Sequence, residues 1–285
     1  MSKNIGTNSE IHQIRFAQQL SHPSSPDSGY EYLYLISGSA NGGLYLKDSS
    51  GKQVGPFITG TPSASLVVPT NIAGCVLWYD ADQESGAEGD PIGTFVDHSA
   101  SANNATQATA GNKPLLRLNA ANGRKAYQFD GVDDYLDVGV NVDIATTHTV
   151  LIVVSPLVNT GAYSTVIKYK QQGIYAPIAS GWSWGLYRGG QINGGGTTPR
   201  PQVIGAWGAS AADWYIINGK LRMKSANTTG FDANGATIIG RDSGGTQPFC
   251  GFLHELIMFN TQISSANLLA LTQWLHYKWG IPDFA

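Results

Sequence analysis

Ten short runs dominate the chain beyond residue 72: "CVLWYDA", "KAYQFDG", "DYLDVGV", "HTVLIVVSP", "YSTVIKYK", "WSWGLYRGG", "PQVIGAWG", "DWYIINGKL", "ATIIGRD" and "FLHELIMFN". Each is rich in β-branched and aromatic residues, and Gly, Asn or Asp separates it from the next. Many short strands at such spacing predict antiparallel pairing in a sandwich or barrel. The turn at 217–220, "INGK", is the sharpest signal, because Asn-Gly suits the type I′ hairpin. Near the C-terminus "SSANLLALTQWLHYKWGIP" breaks the pattern. Ser264 or Ser265 can cap a helix there, Leu268, Leu271 and Leu275 share a face with Trp279 near it, and Gly280 and Pro282 end it. The helix is expected to pack across the sandwich or plug one end of it.

The N-terminal fifth reads differently. Residues 1–21 form an arm without strong periodicity, and "SHPSSPDSG" stops any helix. In "EYLYLISGSANGGLYLKDSSGKQVGPF", residues 31–57, Tyr and Leu alternate on either side of a Gly-rich tip. That pattern predicts a hairpin with two rather apolar faces, anchored on Tyr32, Tyr34, Leu44, Tyr45 and Leu46. A lone hairpin is marginal in water, so this one needs a cover, and self-association is the simplest. The expected organisation is an arm at 1–21, a hairpin module at 22–60 for attachment and oligomerisation, a Pro/Ser/Thr-rich linker at 61–71 and a β domain at 72–285.

Composition narrows the function. Charged residues make up 13% of the chain against about 25% in ordinary soluble domains, glycine reaches 35 residues, and the formal net charge is -3. With no Lys/Arg cluster to neutralise phosphates, nucleic acid is not an expected partner. The longest apolar run, residues 149–158, is broken by Ser155 and Pro156 and is far shorter than the roughly 20 residues of a membrane span, so it reads as a buried strand and no membrane insertion is expected. The first twenty residues lack the apolar core of a secretory signal. Cys75 and Cys250 exclude a disulfide framework; a single bridge and two buried free thiols both stay open.

The residues that carry chemistry each have a plainer reading. Glutamates stand only at Glu10, Glu31, Glu84, Glu88 and Glu255. Glu255, isolated among apolar residues, reads as a structural acid satisfying nearby backbone or a tyrosine hydroxyl. "HELIM" at 254–258 imitates a zinc-protease motif, but Met258 stands where the second histidine belongs. Asp97 in "VDHSASANN" and Asp133 and Asp134 in "DGVDD" offer loop oxygens suited to Ca²⁺, while Asp and Asn also make turns through their own backbone. In residues 173–200, Trp182, Trp184 and Leu186 alternate as one buried strand face. Tyr175, Tyr187 and Arg188, beside flexible glycines, are the candidate ligand-binding residues. Those glycines lack the Gly-Lys-Ser/Thr ending of a phosphate loop.

"LWYDADQ" at 77–83, "GDPIGTFVDHSASANNATQ" at 89–107, "GRKAYQFDGVDDYL" at 123–136 and "FCGFLHELIMFN" running into "LLALTQWLHYKWGI" resemble, in order, the laminin-G-like branch of the concanavalin A-like lectin/glucanase superfamily. The resemblance implies an all-β fold, an antiparallel jelly-roll β-sandwich with one C-terminal helix, whose first and last strands are neighbours. It thereby implies that Cys75 and Cys250 can lie close together, and that calcium can bind on a rim. Glucanases of this superfamily place their acids as glutamate-x-aspartate-x-glutamate on one strand, which this chain lacks, so it is expected not to be an enzyme. Residues 15–57, with the turn Lys47, Asp48, Ser49, Ser50, Gly51, resemble a module near the N-terminus of bacteriophage fibre and appendage proteins. That resemblance implies a homotrimer attached to other virion proteins, assembled in the host cytoplasm and exposed on the virion surface. The resulting expectation is a fibre-type adhesin for host-surface carbohydrate; a capsid decoration or head-fibre protein is the alternative, and a surface-glycan hydrolase the third.

Overall fold

The computed structural model divides into two compact units, Met1–Leu66 and Val67–Ala285. It describes residues 18–19, 32–36, 43–47 and 53–54 of the first, and residues 67–140, 142, 147–157, 163–169, 172–175, 183–188, 191–196, 200–209, 212–218, 220–225 and 235–281 of the second.

In the first unit, β1 (Gln18–Gln19), β2 (Tyr32–Ile36), β3 (Gly43–Lys47) and β4 (Gln53–Val54) form one sheet in that order. The hairpin is therefore the centre of a four-stranded sheet, with β1 pairing in parallel from within the arm. Register sets Tyr34 opposite Tyr45, Leu35 opposite Leu44, Leu33 opposite Leu46 and Tyr32 opposite Lys47. With side chains alternating along a strand, the Tyr32, Tyr34 and Tyr45 positions share one face and Leu44 and Leu46 the other.

The second unit runs β5 (Cys75–Asp80), β6 (Thr94–Phe95), β7 (Ala105–Thr106), β8 (Leu115–Ala121), β9 (Arg124–Asp130), β10 (Leu136–Asp137), β11 (His148–Pro156), β12 (Thr165–Tyr169), β13 (Gln172–Tyr175), β14 (Ser183–Arg188), β15 (Gln191–Gly196), β16 (Gln202–Ala209), β17 (Ala212–Ile217), β18 (Lys220–Ser225), β19 (Ile238–Ile239), β20 (Cys250–Phe259) and α1 (Ser265–Trp279). Two antiparallel sheets result. One has the order β15-β14-β13-β12-β19-β10-β7-β6. The other has the order β18-β17-β16-β11-β20-β9-β8, with β5 pairing β20 beyond the end of β9. This is the antiparallel β-sandwich with a C-terminal helix that the short runs predict.

The core lies between the sheets, where Val150, Ile152 and Val154 of β11 meet Ile167, Ile174, Trp184 and Leu186 of the facing sheet. The alternate residues Leu151 and Val153 point the other way, into a second core with Leu268, Leu271, Leu275 and Trp279 of α1. Hence residues 150–154 of β11 are apolar throughout: both faces of that stretch are buried. Fully burying each of those four helix side chains contributes roughly 1.5–3 kcal/mol. The helix begins where Ser264 accepts a hydrogen bond from the Asn267 amide and ends at Gly280, whose φ of 63° a glycine adopts without a Cβ penalty. It packs on the sheet that contains β11 and β20, and no described helix lies on the outer face of the other sheet. No described helix is long and apolar enough to cross a membrane.

β20 also settles the cysteines. Cys75 pairs with Phe259 at one end of this ten-residue strand, and Cys250 begins the other, about 30 Å away. A disulfide needs Cα atoms within about 7 Å. The proximity implied by neighbouring first and last strands is corrected on this point: the strands do adjoin, but the cysteines sit at opposite ends of the ladder, and both are free thiols.

Candidate functional site

Under α1 the sandwich buries a charged cluster. Asp80 and Glu255 are opposite each other on β5 and β20, and Lys278 reaches down from the helix to both, at 2.7 Å and 2.9 Å. The Glu255 carboxylate also accepts the indole N–H groups of Trp78, at 2.7 Å, and Trp279, at 2.6 Å. Sequence reading casts Glu255 as structural, with backbone or a tyrosine as partner; the partners are two indoles and a lysine. Burial pushes its carboxyl up to about 7, with Lys278 pulling the other way and Asp80 adding to the rise. Beside it His254 Nε2 lies 2.9 Å from Ser155 Oγ, and burial drives that imidazole down to about 3. A neutral histidine under the Trp279 ring, at 5.1 Å, is a packed core group enclosed by the helix. This cluster latches α1 to the sheet.

The acidic loops separate. Asp97 does not join Asp133 and Asp134: its carboxylate accepts the amides of Trp78, Ser99 and Asn103 and the Ser99 hydroxyl, at 2.7–2.8 Å, so its oxygens organise the 97–104 loop. The acid that does join them is Asp130. Ligand atoms of Asp130, Asp133 and Asp134 all lie within 4.8 Å of one another. Part of this set serves the turn itself, since Asp130 Oδ1 accepts the Val132 amide and Asp134 Oδ2 the Asp130 amide. Burial first, then the charges of Asp130 and Asp133, raise the Asp134 carboxyl to about 6, opposed by its bond from the Asp130 amide. The calcium expectation therefore moves from Asp97 to Asp130.

The other sheet carries the third arrangement. Its inward register row runs Leu136, Ile239, Ile167, Ile174, Leu186 and Ile192. The adjacent outward row runs Thr94, Thr106, Asp137, Ile238, Lys168, Gly173, Tyr187 and Gln191. Next to it lies the row Thr165, Tyr175, Gly185 and Asn193. Tyr175 thus sits in the outward row, half-buried, with the buried Gly185 opposite. Its ring lies over Gly173, where an added Cβ would stand 3.0 Å from ring carbons and from the hydroxyl. Tyr163, 37% exposed, meets it edge to face at 6.1 Å and 72°. The result is an aromatic surface seated on a glycine floor.

Trp184 and Leu186 are fully buried on the inner face, as their alternation predicts; Trp182 lies outside the described residues. Tyr187 and Arg188 take successive places in β14, opposite Gly173 and Gln172. The pleat therefore sets them on opposite faces: Tyr187 falls in the row of Gly173, and Arg188 in that of the buried Gln172. Tyr163 is missing from the sequence-based site, because only the β12–β13 hairpin brings it to Tyr175. A tyrosine shortly before a strand that turns back toward a second tyrosine is the signal that points to it.

No family model matches the sequence, and no curated protein is significantly similar to it. Solved structures do share the fold. An arabinofuranosidase complexed with arabinofuranosyl-alpha-1,2-xylobiose is 15% identical with a TM-score of 0.55, over 73% of this chain and 64% of that one. Trypanosoma rangeli sialidase in complex with sialic acid is 14% identical with a TM-score of 0.52, over 75% of this chain and 35% of that one. This chain therefore spans less than two thirds of the arabinofuranosidase and about a third of the sialidase. At such identities the likeness establishes the fold. It also corrects the expectation that the chain is not an enzyme, since the structures sharing the fold are mainly glycosidases. The physical reason is that glycoside hydrolysis needs two groups placed about 5–9.5 Å apart in space, which loops and different strands can supply without the one-strand acidic pattern.

Proposed function

We propose that this chain is a glycan-directed β-sandwich protein that holds carbohydrate where Tyr175 and Tyr163 meet. One observation carries the reading: the Tyr175 ring is laid over Gly173 and met edge to face by Tyr163, which is 37% exposed. A half-buried ring with a glycine beneath it is already ordered, so stacking a sugar on it costs little further side-chain entropy. Two proteins that share the fold, one complexed with arabinofuranosyl-alpha-1,2-xylobiose and one with sialic acid, support carbohydrate as the ligand class.

The finer assignment is a virion-surface fibre adhesin for host carbohydrate. Support comes from residues 15–57, which resemble a phage appendage module, and from the low charge content of 13%. In this reading the first unit attaches the protein to other virion proteins and holds it as a homotrimer, so that weak single sites gain avidity. Capsid decoration is the alternative placement. Glycan hydrolysis is the second functional reading, favoured by the glycosidases among the fold neighbours.

Incubating the full chain with purified host-surface polysaccharides, and measuring both retention and release of reducing ends, tests the proposal. Retention without release assigns an adhesin, release assigns a hydrolase, and the absence of both across the panel overturns the reading. Gold-tagged antibody against the second unit, viewed on intact particles, distinguishes tail from head; particles that carry no label overturn the virion assignment.

A further inference from the structure

Resting on that glycan-directed reading, we infer that Arg241 binds a carboxylate, so that the glycan this chain takes carries acidic sugars. The Arg241 guanidinium is stacked on Tyr135, with Cζ 3.3 Å from the ring centroid. Among the described residues it makes no hydrogen bond and no ion pair, and its Nε is enclosed without an acceptor. An arginine half-buried in this way holds its charge in a fixed plane with part of its hydration removed, which strengthens its attraction for a counter-ion. The acids beside it are turned elsewhere. Asp242, next in the chain, accepts the Thr246 amide at 2.7 Å, the Thr246 hydroxyl at 3.2 Å and the Gln247 amide at 3.2 Å. Asp134, which precedes Tyr135, accepts the Asp130 amide at 2.9 Å and crowds against Asp130 and Asp133.

The frame around the guanidinium is already set. Tyr135 donates its amide to the Asn112 carbonyl at 3.1 Å, and its own carbonyl accepts Gln107 Nε2 at 3.1 Å. Gly245, at φ +71°, runs beside Nη1, where an added Cβ would stand 3.3 Å from that nitrogen, so a glycine leaves the Nη edge room. With Nε enclosed, Nη1 and Nη2 form the edge that meets a ligand, and two parallel N–H donors match the two oxygens of a carboxylate. Lys168 reaches the same loop, donating to Ser243 Oγ at 2.8 Å, and adds positive charge. With Asp130, Asp133 and Asp134 nearby, a singly charged carboxylate is favoured over a doubly charged phosphate. Thr165 ties this loop to β12, donating its amide to the Gln247 carbonyl at 3.0 Å and its hydroxyl to Gln247 Oε1 at 2.9 Å. Since β12 begins just after Tyr163, the arginine lies at the same end of this sheet as the tyrosine pair.

Because the formal net charge of the chain is -3, bulk attraction does not draw it to a polyanion, and retention by one reports a local site. Affinity electrophoresis of the full chain tests this in gels containing polygalacturonic or polysialic acid, their carboxyl-reduced forms, sulfated carrageenan, or neutral dextran and galactomannan. The expected result is retardation by at least one carboxylated polymer, lost in its carboxyl-reduced form and weakened as salt rises from about 0.05 M to about 0.5 M. Arg241→Met, which keeps an apolar stem over Tyr135, weakens it at least about ten-fold, and Arg241→Lys, which keeps the charge without the planar fork, weakens it less. Should Arg241→Met lose its fold by circular dichroism, Arg241→Lys takes its place with a loss in the same direction. Retardation by neutral polymers alone overturns the inference and leaves the glycan-directed reading standing. Retardation by carrageenan without the carboxylated polymers overturns the carboxylate assignment. Carboxylate-dependent retardation unchanged in Arg241→Met, or in Arg241→Lys where that variant stands in, overturns the site. Retardation by none of the polymers overturns the inference and the reading together.

Discussion

Burial decides what Glu255 and Lys278 do for the protein. Lys278 and its partners Asp80 and Glu255 are 7%, 3% and 1% exposed, so removing the ammonium leaves two carboxylates facing each other with little water. Lys278→Met is expected to cost about 3–5 kcal/mol in urea-induced unfolding, the range for breaking a buried ion pair from one side. Glu255 adds a pH signature. Its carboxyl is raised to about 7 in the folded protein from an ordinary 4.5, so the folded state binds that proton more tightly. The associated stability is complete below about pH 4.5 and is lost as pH rises through about 7. Melting temperatures of Glu255→Gln should therefore fall less than those of the native chain between pH 6 and 8. His254 has the opposite sign, being lowered to about 3, and its contribution is lost as pH falls from 6.5 toward 3. At this scale sequence reading recognises Glu255 as structural and misses its partners, because Trp78, Lys278 and Trp279 come from a strand and a helix far from it along the chain.

Among the elements, glycine positions separate by what surrounds them. Gly205 lies in β16 where a Cβ would stand 2.1 Å from the Val150 carbonyl oxygen, inside the strand pairing that joins β16 to β11. Gly205→Ala is expected to prevent the sheet from closing and to leave the protein insoluble on expression. Gly111, with nothing within 4 Å of its would-be Cβ, serves as the control: Gly111→Ala should change stability by no more than about 0.5 kcal/mol. The helix gives a milder case. Ser264 Oγ accepts the Asn267 amide as the N-cap, and Ser264→Ala should cost about 1 kcal/mol in thermal unfolding. The helix, its cap and its Gly280 stop are readable from local pattern, as is the burial of Trp184 and Leu186. The placement of Asp97 is not. "VDHSASANN" and "DGVDD" have the same oxygen-rich composition, and the difference is that Asp97 turns its oxygens on the amides of Trp78, Ser99 and Asn103 while Asp130, Asp133 and Asp134 converge.

For the whole molecule, the second unit contains two cores of its own, one between the sheets and one beneath the helix. A fragment spanning residues 67–285 should therefore fold independently, with a melting transition close to that of the full chain by calorimetry. If the first unit carries oligomerisation as proposed, light scattering should report that fragment as a monomer; a fragment that stays trimeric would move the interface to the sandwich. The amino-acid sequence by itself determined the class of fold: short β-branched runs, turn residues between them and one amphipathic helix admit an antiparallel sandwich, because strand and helix periods are local properties. Tertiary structure alone decided at which ends of the β5–β20 ladder the two cysteines stand, which acids share a loop, and which sheet α1 docks on. Those outcomes depend on strand register and on where α1 docks, and register is set by pairing between segments far apart in the chain. The tyrosine pair belongs to that second group, since Tyr163, Gly173 and Tyr175 come together only when β12 turns back on β13.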